Sequence, residues 1–212
     1  MSENDLIWAS DYLHDVNKIS YIEPTSLDEG CDVLHLGRLK SRHPTDGARL
    51  PRFAFLHKNR KIPADWAFHL GGGFFGVRDE GIDLLCNFDL GAPAEEGPGK
   101  DRIEFHPLTV YDHTREKALL HMHIMHVAVR KPTLDLERNK QRVRLHSDGT
   151  TGTYSNLGEA RLVVKRSALD GPDLWGADNL TSVLFFSDRL KRAMEASGGF
   201  KRCEFSLCEF ED

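Results

Sequence analysis

Long apolar runs are missing from this 212-residue sequence; none approaches the ~20 consecutive apolar residues an α-helix needs to cross a bilayer. The opening residues MSENDLIWASDYLH carry acids where a secretory leader has a basic region and an apolar core, so no signal peptide is expected. Cysteine is scarce: Cys31, Cys86, Cys203 and Cys208 contain no CxxC pair, which excludes a disulfide scaffold. Cys203 and Cys208 are five apart in an apparent strand, which would put them on opposite faces. Together these absences predict a soluble cytoplasmic protein with reduced thiols. Signature motifs are absent as well. There is no GxxxxGK[ST] to cradle phosphate, no GxSxG nucleophile elbow, and no HExxH zinc helix. No pair of acids stands at a spacing that singles it out for acid/base work. The sequence therefore predicts no catalytic residue and no cofactor.

Hydrophobic residues make up 40% and charged residues 29%, the balance of a chain that folds rather than one that stays disordered. Nine prolines and eighteen glycines are spread along it, which predicts many turns and argues against a helix bundle. Strands are predicted at 31–39, at RFAFLH (52–57), at DRIEFHPLTVYD, at ALLHMHIMHVAV (118–129) and at KQRVRLH (140–146). Further strands are predicted at EARLVVKR (159–166), SVLFF (182–186) and FKRCEFSLCEF (200–210), while SDGTTGTYSN and LDGPDLWGAD read as turns or irregular chain. Ser187 and Asp188 open a helix whose apolar stripe is Leu190, Ala193 and Met194. Lys191 and Arg192 are expected to face water, and Gly198 or Gly199 to stop it. The expected fold is α+β, mainly antiparallel sheet, closing on a strand–helix–strand unit. It forms one compact domain over 1–212, with two closely packed lobes, 1–100 and 101–212, separated at the GAPAEEGPGK loop (91–100).

The net charge of −5 is unevenly laid out. Asp79, Glu80, Asp83, Asp89, Glu95 and Glu96 fall in one stretch, from 79 to 99, that has no lysine or arginine. Such a stretch repels nucleic acid and speeds encounter with a basic partner, so these six residues are candidates for partner binding. The basic residues Arg130, Lys131, Arg138, Lys140, Arg142 and Arg144 could grip phosphates, but Asp135 and Glu137 interrupt them and no aromatic interleaves them. A charged, solvent-facing sheet edge explains them better, and no nucleic-acid partner is expected.

Histidine supplies the sharpest chemical hint. In a strand, His121 and His123 project from the same face, the arrangement a metal site needs. His126 has the other parity, and a third ligand would come from His69, His106 or His113. Histidines packed or hydrogen-bonded within the sheet are the alternative, and no metal is expected. His69 followed by Gly71, Gly72 and Gly73 is similar to an oxyanion loop but lacks its nucleophile, so a tight turn between two strands is predicted there.

Three features of the second half occur in a telling order: Leu134-Asp135-Leu136-Glu137, then Leu174-Trp175, then the helix from Phe186 through Gly198. With RIEFHPLTVYD before them, they resemble the immunity-protein-eleven family of bacterial polymorphic toxin systems. The likeness covers about half the chain; the first hundred residues match loosely. A serine-led helix expected before RIEFHP is replaced here by the acidic GIDLLCNFDLGAPAEEGPGK. The resemblance implies a cytosolic, non-catalytic protein that neutralises a cognate toxin by binding it. It transfers no catalytic residue, and the matching helix positions look structural.

Overall fold

The computed structural model describes residues 5–10, 22–24, 50–70, 74–91, 102–140, 143–145, 152–154, 161–178 and 180–211. Strands β1 (Ile7–Ser10), β2 (Ile22–Pro24), β3 (Phe53–Leu56), β4 (Ala67–Leu70) and β5 (Phe74–Val77) precede helix α1 (Asp79–Leu85). Then come β6 (Ile103–Tyr111), β7 (Ala118–Val127), β8 (Arg130–Lys131), β9 (Val143–Leu145), β10 (Gly152–Tyr154) and β11 (Val163–Val164). The chain continues through β12 (Leu174–Ala177), β13 (Leu180–Ser187), helix α2 (Asp188–Ser197), β14 (Ser206–Leu207) and β15 (Glu209–Phe210). This is an α+β protein rich in antiparallel sheet, and β13, α2 and β14 form its C-terminal strand–helix–strand. Among the described residues no helix is long and apolar enough to cross a membrane.

One sheet has six strands in the order β2-β3-β6-β7-β5-β4, antiparallel except for the β3–β6 pair. The other has seven: β14, β1, β13, β10 and β9 in order, with β12 also on β13 and β8 on β12. A short parallel pair, β11–β15, stands apart. Each large sheet draws strands from both sides of residues 91–100, and so does the main core, which joins Ile7, Val77 and Leu85 to Trp175, Phe185 and Leu190.

The β6–β7 hairpin anchors the first sheet, paired from Ile103↔Val127 to Tyr111↔Ala118. Ile103, Met125 and Val127 face the main core, while Leu108, Val110, Met122 and Ile124 face a second, smaller one with Phe68 and Leu70. Burial on both faces is why β7 carries apolar residues at both parities, Met122 and Ile124 toward one core and Met125 and Val127 toward the other. Asp112 turns the hairpin: its Oδ1 accepts from the Thr114 amide (3.1 Å), the Thr114 hydroxyl (2.8 Å) and the Glu116 amide (3.2 Å). Gly76 on β5 is required by contact, since a Cβ there would lie 2.2 Å from Met122 Cε. Strands β4 and β5 pair up to Leu70↔Phe74, as a turn between them demands, although Gly71, Gly72 and Gly73 lie outside the described residues.

Helix α2 follows its local signals. The Ser187 side chain accepts from the Leu190 amide at 3.3 Å, Gly198 ends the helix at φ 66°, and Leu190 and Met194 are buried. Ser187 does more than cap, because its hydroxyl also donates to Asp173 Oδ1 at 2.5 Å. Lys191 does not face water: its Nζ lies 4.1 Å from the centroid of the Trp8 ring and 2.8 Å from Glu195.

Other expectations need correction. LDGPDLWGAD contains β12, which pairs with β13 along one edge and β8 along the other and whose four residues are all buried, Leu174, Trp175 and Ala177 in the main core. GTY in SDGTTGTYSN is strand β10, paired with β9. Of the strand expected over 140–146, Val143–Leu145 is strand and Lys140 sits in a preceding turn, while residues 141, 142 and 146 lie outside the described residues. Among the described residues of EARLVVKR (161–166), the ladder is formed at Val163 and Val164. FKRCEFSLCEF is two short strands because its partner changes: the Cys208 amide bonds to Ile7 of β1, and the next amide, Glu209, bonds to Leu162. The strand expected over 31–39 lies outside the described residues.

Candidate functional site

The acidic stretch is not all loop. Asp79, Glu80 and Asp83 are exposed on α1, where the first two complement the positive end of the helix dipole. A helix thus does precede β6, but it begins at Arg78 with no side-chain cap. Asp79 Oδ1 lies 3.3 Å from His123 Nδ1. Asp89 serves the fold: its amide donates to Asp173 Oδ2 (2.9 Å) and its carbonyl accepts from the Asp173 amide (2.7 Å). Glu95 and Glu96 lie outside the described residues.

The basic stripe does not form one face. Lys131 turns inward, donating to the carbonyls of Ala168 (3.0 Å), Asp170 (2.7 Å) and Pro172 (3.4 Å), with its Nζ 3.8 Å from the centroid of the Trp175 ring. Burial pushes this ammonium down to about 8, against the attraction of Asp170, Asp89 and Asp173. The Arg130 guanidinium packs over Gly176, where any Cβ would strike it. Lys140 pairs with Glu137. Arg142 and the Arg144 side chain are outside the described residues.

The histidines divide by sheet face. His121 and His123 do share one face, but each meets a different neighbour: His121 Nδ1 lies 3.2 Å from the hydroxyl of its cross-strand partner Thr109, and His123 lies beside Asp79. Their environments do not converge on a common ligand position. On the opposite face, Glu104 pairs across the hairpin with His126, and His106 stands two residues further along β6. One potential ligand atom from each of these three lies within 4.8 Å of those of the other two. His106 Nε2 is 3.3 Å from Glu104 Oε2. Burial lowers the affinity of His126 for a proton; Glu104 opposes that shift, and His106 and Arg130 reinforce it. His113 is exposed in the hairpin turn, and nothing is described of the His69 side chain.

A second arrangement forms around Leu134-Asp135-Leu136-Glu137. Leu134 bridges to Val164, and the Asp135 amide donates to the Val163 carbonyl at 3.1 Å. Asn139, fully buried, holds this segment against β11. Its side-chain amide donates to the carbonyls of Asp135 (2.6 Å) and Val163 (2.7 Å), and its oxygen accepts from the Val163 amide (3.1 Å). A side chain that satisfies a strand's own donor and acceptor replaces a missing strand partner. Beside it lies a surface groove of about 340 Å³, lined by Pro132, Leu134, Leu136, Lys165 and four carboxylates, those of Asp135, Glu137, Asp178 and Glu211. Leu136 is 37% exposed, one of two large apolar residues so exposed among those described. Glu137 already pairs with Lys140 and Lys165 offsets part of the acidic charge, but apolar residues beside the remaining carboxylates still suit a long cationic side chain, its stem on the apolar part and its head among the acids.

No protein-family model matches this chain, and no curated protein matches it either.

Sequence reasoning placed none of its partner-binding candidates in this groove. Asp178 and Glu211 come from segments distant in sequence, and no local pattern marks them. The exposed Leu136 between two acids was the one available signal.

Proposed function

We propose that this protein is a non-catalytic immunity protein that binds a basic protein toxin in a bacterial cytoplasm and occludes its active surface. The observation that carries the reading is the groove at Leu136. The segment on which the family resemblance rests supplies the groove's exposed leucine and two of its four rim carboxylates. A lysine or arginine of the toxin fits there, and the rim accelerates encounter with a basic surface. Asp79, Glu80 and Asp83, exposed on α1, and Asp89 add to the negative charge that would draw a basic partner.

The test uses the reading frame immediately upstream, expressed with and without this chain. The product should arrest growth alone, be neutralised by co-expression, and co-purify with this protein. Glu137→Lys combined with Glu211→Lys should slow association roughly tenfold at low salt, less at high salt, and leave the melting temperature nearly unchanged. Reversal of Glu95 and Glu96 tests the acidic stretch separately. A neighbour that neither poisons cells nor binds this chain sinks the reading. Unaltered association of the groove variant at low ionic strength removes the groove from it.

A further inference from the structure

We infer that Glu104, His106 and His126 form a binding site for a divalent transition-metal ion, with zinc the best match, held on the β6–β7 hairpin. The site does not depend on the toxin-binding reading, and it is not the His121–His123 pair.

The geometry comes from strand register. Residues i and i+2 of one strand share a face, and the residue paired across from i joins them. Glu104, His106 and His126 hold those three positions in an unbroken part of the longest ladder of the described structure. A tetrahedral zinc ion bound at ~2.0–2.1 Å sets its ligand atoms roughly 3.3–3.4 Å apart. His106 Nε2 and Glu104 Oε2 are already 3.3 Å apart, and one ligand atom from each of the three residues lies within 4.8 Å of the other two. Only side-chain adjustment of His126 is needed to complete one face of the tetrahedron.

The surroundings prepare the ligands. Arg102 holds the other oxygen of Glu104, donating to Oε1 from Nε (3.1 Å) and Nη2 (3.0 Å), which leaves Oε2 turned toward His106. A ligating carboxylate whose other oxygen is held by a hydrogen-bond donor is a usual arrangement at metal sites. His106 Nε2 is buried and has no hydrogen-bond partner, so its 3.3 Å approach to Glu104 is not a hydrogen bond. A buried ring nitrogen beside a carboxylate oxygen, with no proton shared between them, is what a metal between the two resolves. Two imidazoles and one carboxylate suit zinc and its neighbours rather than calcium or magnesium, which prefer all-oxygen shells. The Glu104 side chain is 17% and that of His106 36% exposed, so a water can fill the fourth position. Arg130 acts electrostatically on His126 and sets a positive charge against the ion. The site is therefore weaker than three such ligands would be without it.

The experiment uses the full, untagged chain, stripped with a chelator and titrated with zinc chloride by calorimetry and with cobalt chloride by visible absorption. One zinc per chain should bind and raise the melting temperature, and cobalt should give the intense visible bands of a four-coordinate site. His106→Ala, His126→Ala and the shape-preserving Glu104→Gln should each abolish stoichiometric uptake, whereas His121→Ala with His123→Ala should leave it intact. Glu104→Gln keeps the test decisive if a histidine variant does not fold. The inference is overturned if the wild-type chain takes up no stoichiometric zinc. It is equally overturned if Glu104→Gln binds as well as the wild type, or if uptake is lost with His121 and His123 instead.

Discussion

Replacing Asp173 by alanine should unpick the point where α1, β12 and α2 meet. The Asp173 side chain is only 3% exposed, and four donors converge on it: Ser187 Oγ at 2.5 Å, Arg189 Nε at 2.6 Å, Arg189 Nη2 at 2.5 Å and the Asp89 amide at 2.9 Å. Alanine leaves the Asp89 amide and the Ser187 hydroxyl short of an acceptor, at about 1 kcal/mol each. Arg189 contributes less, about 0–1 kcal/mol, because its side chain is 62% exposed and recovers water. The expected loss is about 2–3 kcal/mol by urea denaturation, or roughly 5–10 °C in melting temperature for a chain of this size. Asp173→Asn, which keeps the shape, should lose about half as much. A second readout is pH. Burial alone would raise the Asp173 carboxyl, but the Arg189 fork, the Ser187 hydroxyl and the Asp89 amide outweigh it and hold the group below its ordinary value. A depressed folded value stabilises fully above the unfolded value near 4, and that stability disappears as pH falls through the folded value. The gap between wild type and Asp173→Asn should thus be constant from pH 7 to 5 and shrink below about pH 4. A loss under about 0.5 kcal/mol for the alanine variant, or a gap that persists undiminished to pH 2, would refute this account of the junction.

Lys131→Met keeps the stem over Trp175 but strips the donor from the carbonyls of Ala168, Asp170 and Pro172. It should destabilise by about 2–3 kcal/mol, and unchanged stability in urea would show that those carbonyls find water instead. Burial pushes the Cys203 thiol up to about 12 and Cys208 higher still, whereas Cys86 is exposed at the end of α1. An alkylating reagent at pH 8 should therefore modify Cys86 in the native protein and spare Cys203 and Cys208, checked by peptide mass spectrometry; equal labelling of all three contradicts the burial.

Elements whose causes are local were legible in the sequence. Ser187, Leu190, Met194 and Gly198 define α2 within a dozen residues, and its cap and stop act on the helix itself. Strands β6, β7 and β13 are long and apolar enough to read without knowing their partners. Illegible elements owe their form to distant chain. Strand β12 contains a glycine and is flanked by proline and aspartate, yet β13 and β8 pair both its edges. Asn139 looks like any loop asparagine until the backbone of Val163, 24 residues away, is set beside it.

The histidines show where such reading stops. Parity along β7 correctly puts His121 and His123 on one face and His126 on the other. Parity says nothing, however, about what stands opposite, and the chemistry of a sheet residue is set by its cross-strand neighbours. Opposite His121 stands a threonine, and beside His123 a helix aspartate. Opposite His126 stands Glu104, with His106 one same-face step away. The residue set aside for having the wrong parity is therefore the one whose register completes a cluster of possible ligands. A shift of the β6–β7 register by a single residue would instead put Glu104 and His126 on opposite faces and disperse that cluster. Register depends on the hairpin turn, and here Asp112 and the left-handed Arg115 hold that turn at one length. The site's fate thus rests on that turn and on the register shift between Val110 and Tyr111, with Asp112 six residues beyond its nearest ligand, His106, and no mark of the connection in either segment alone.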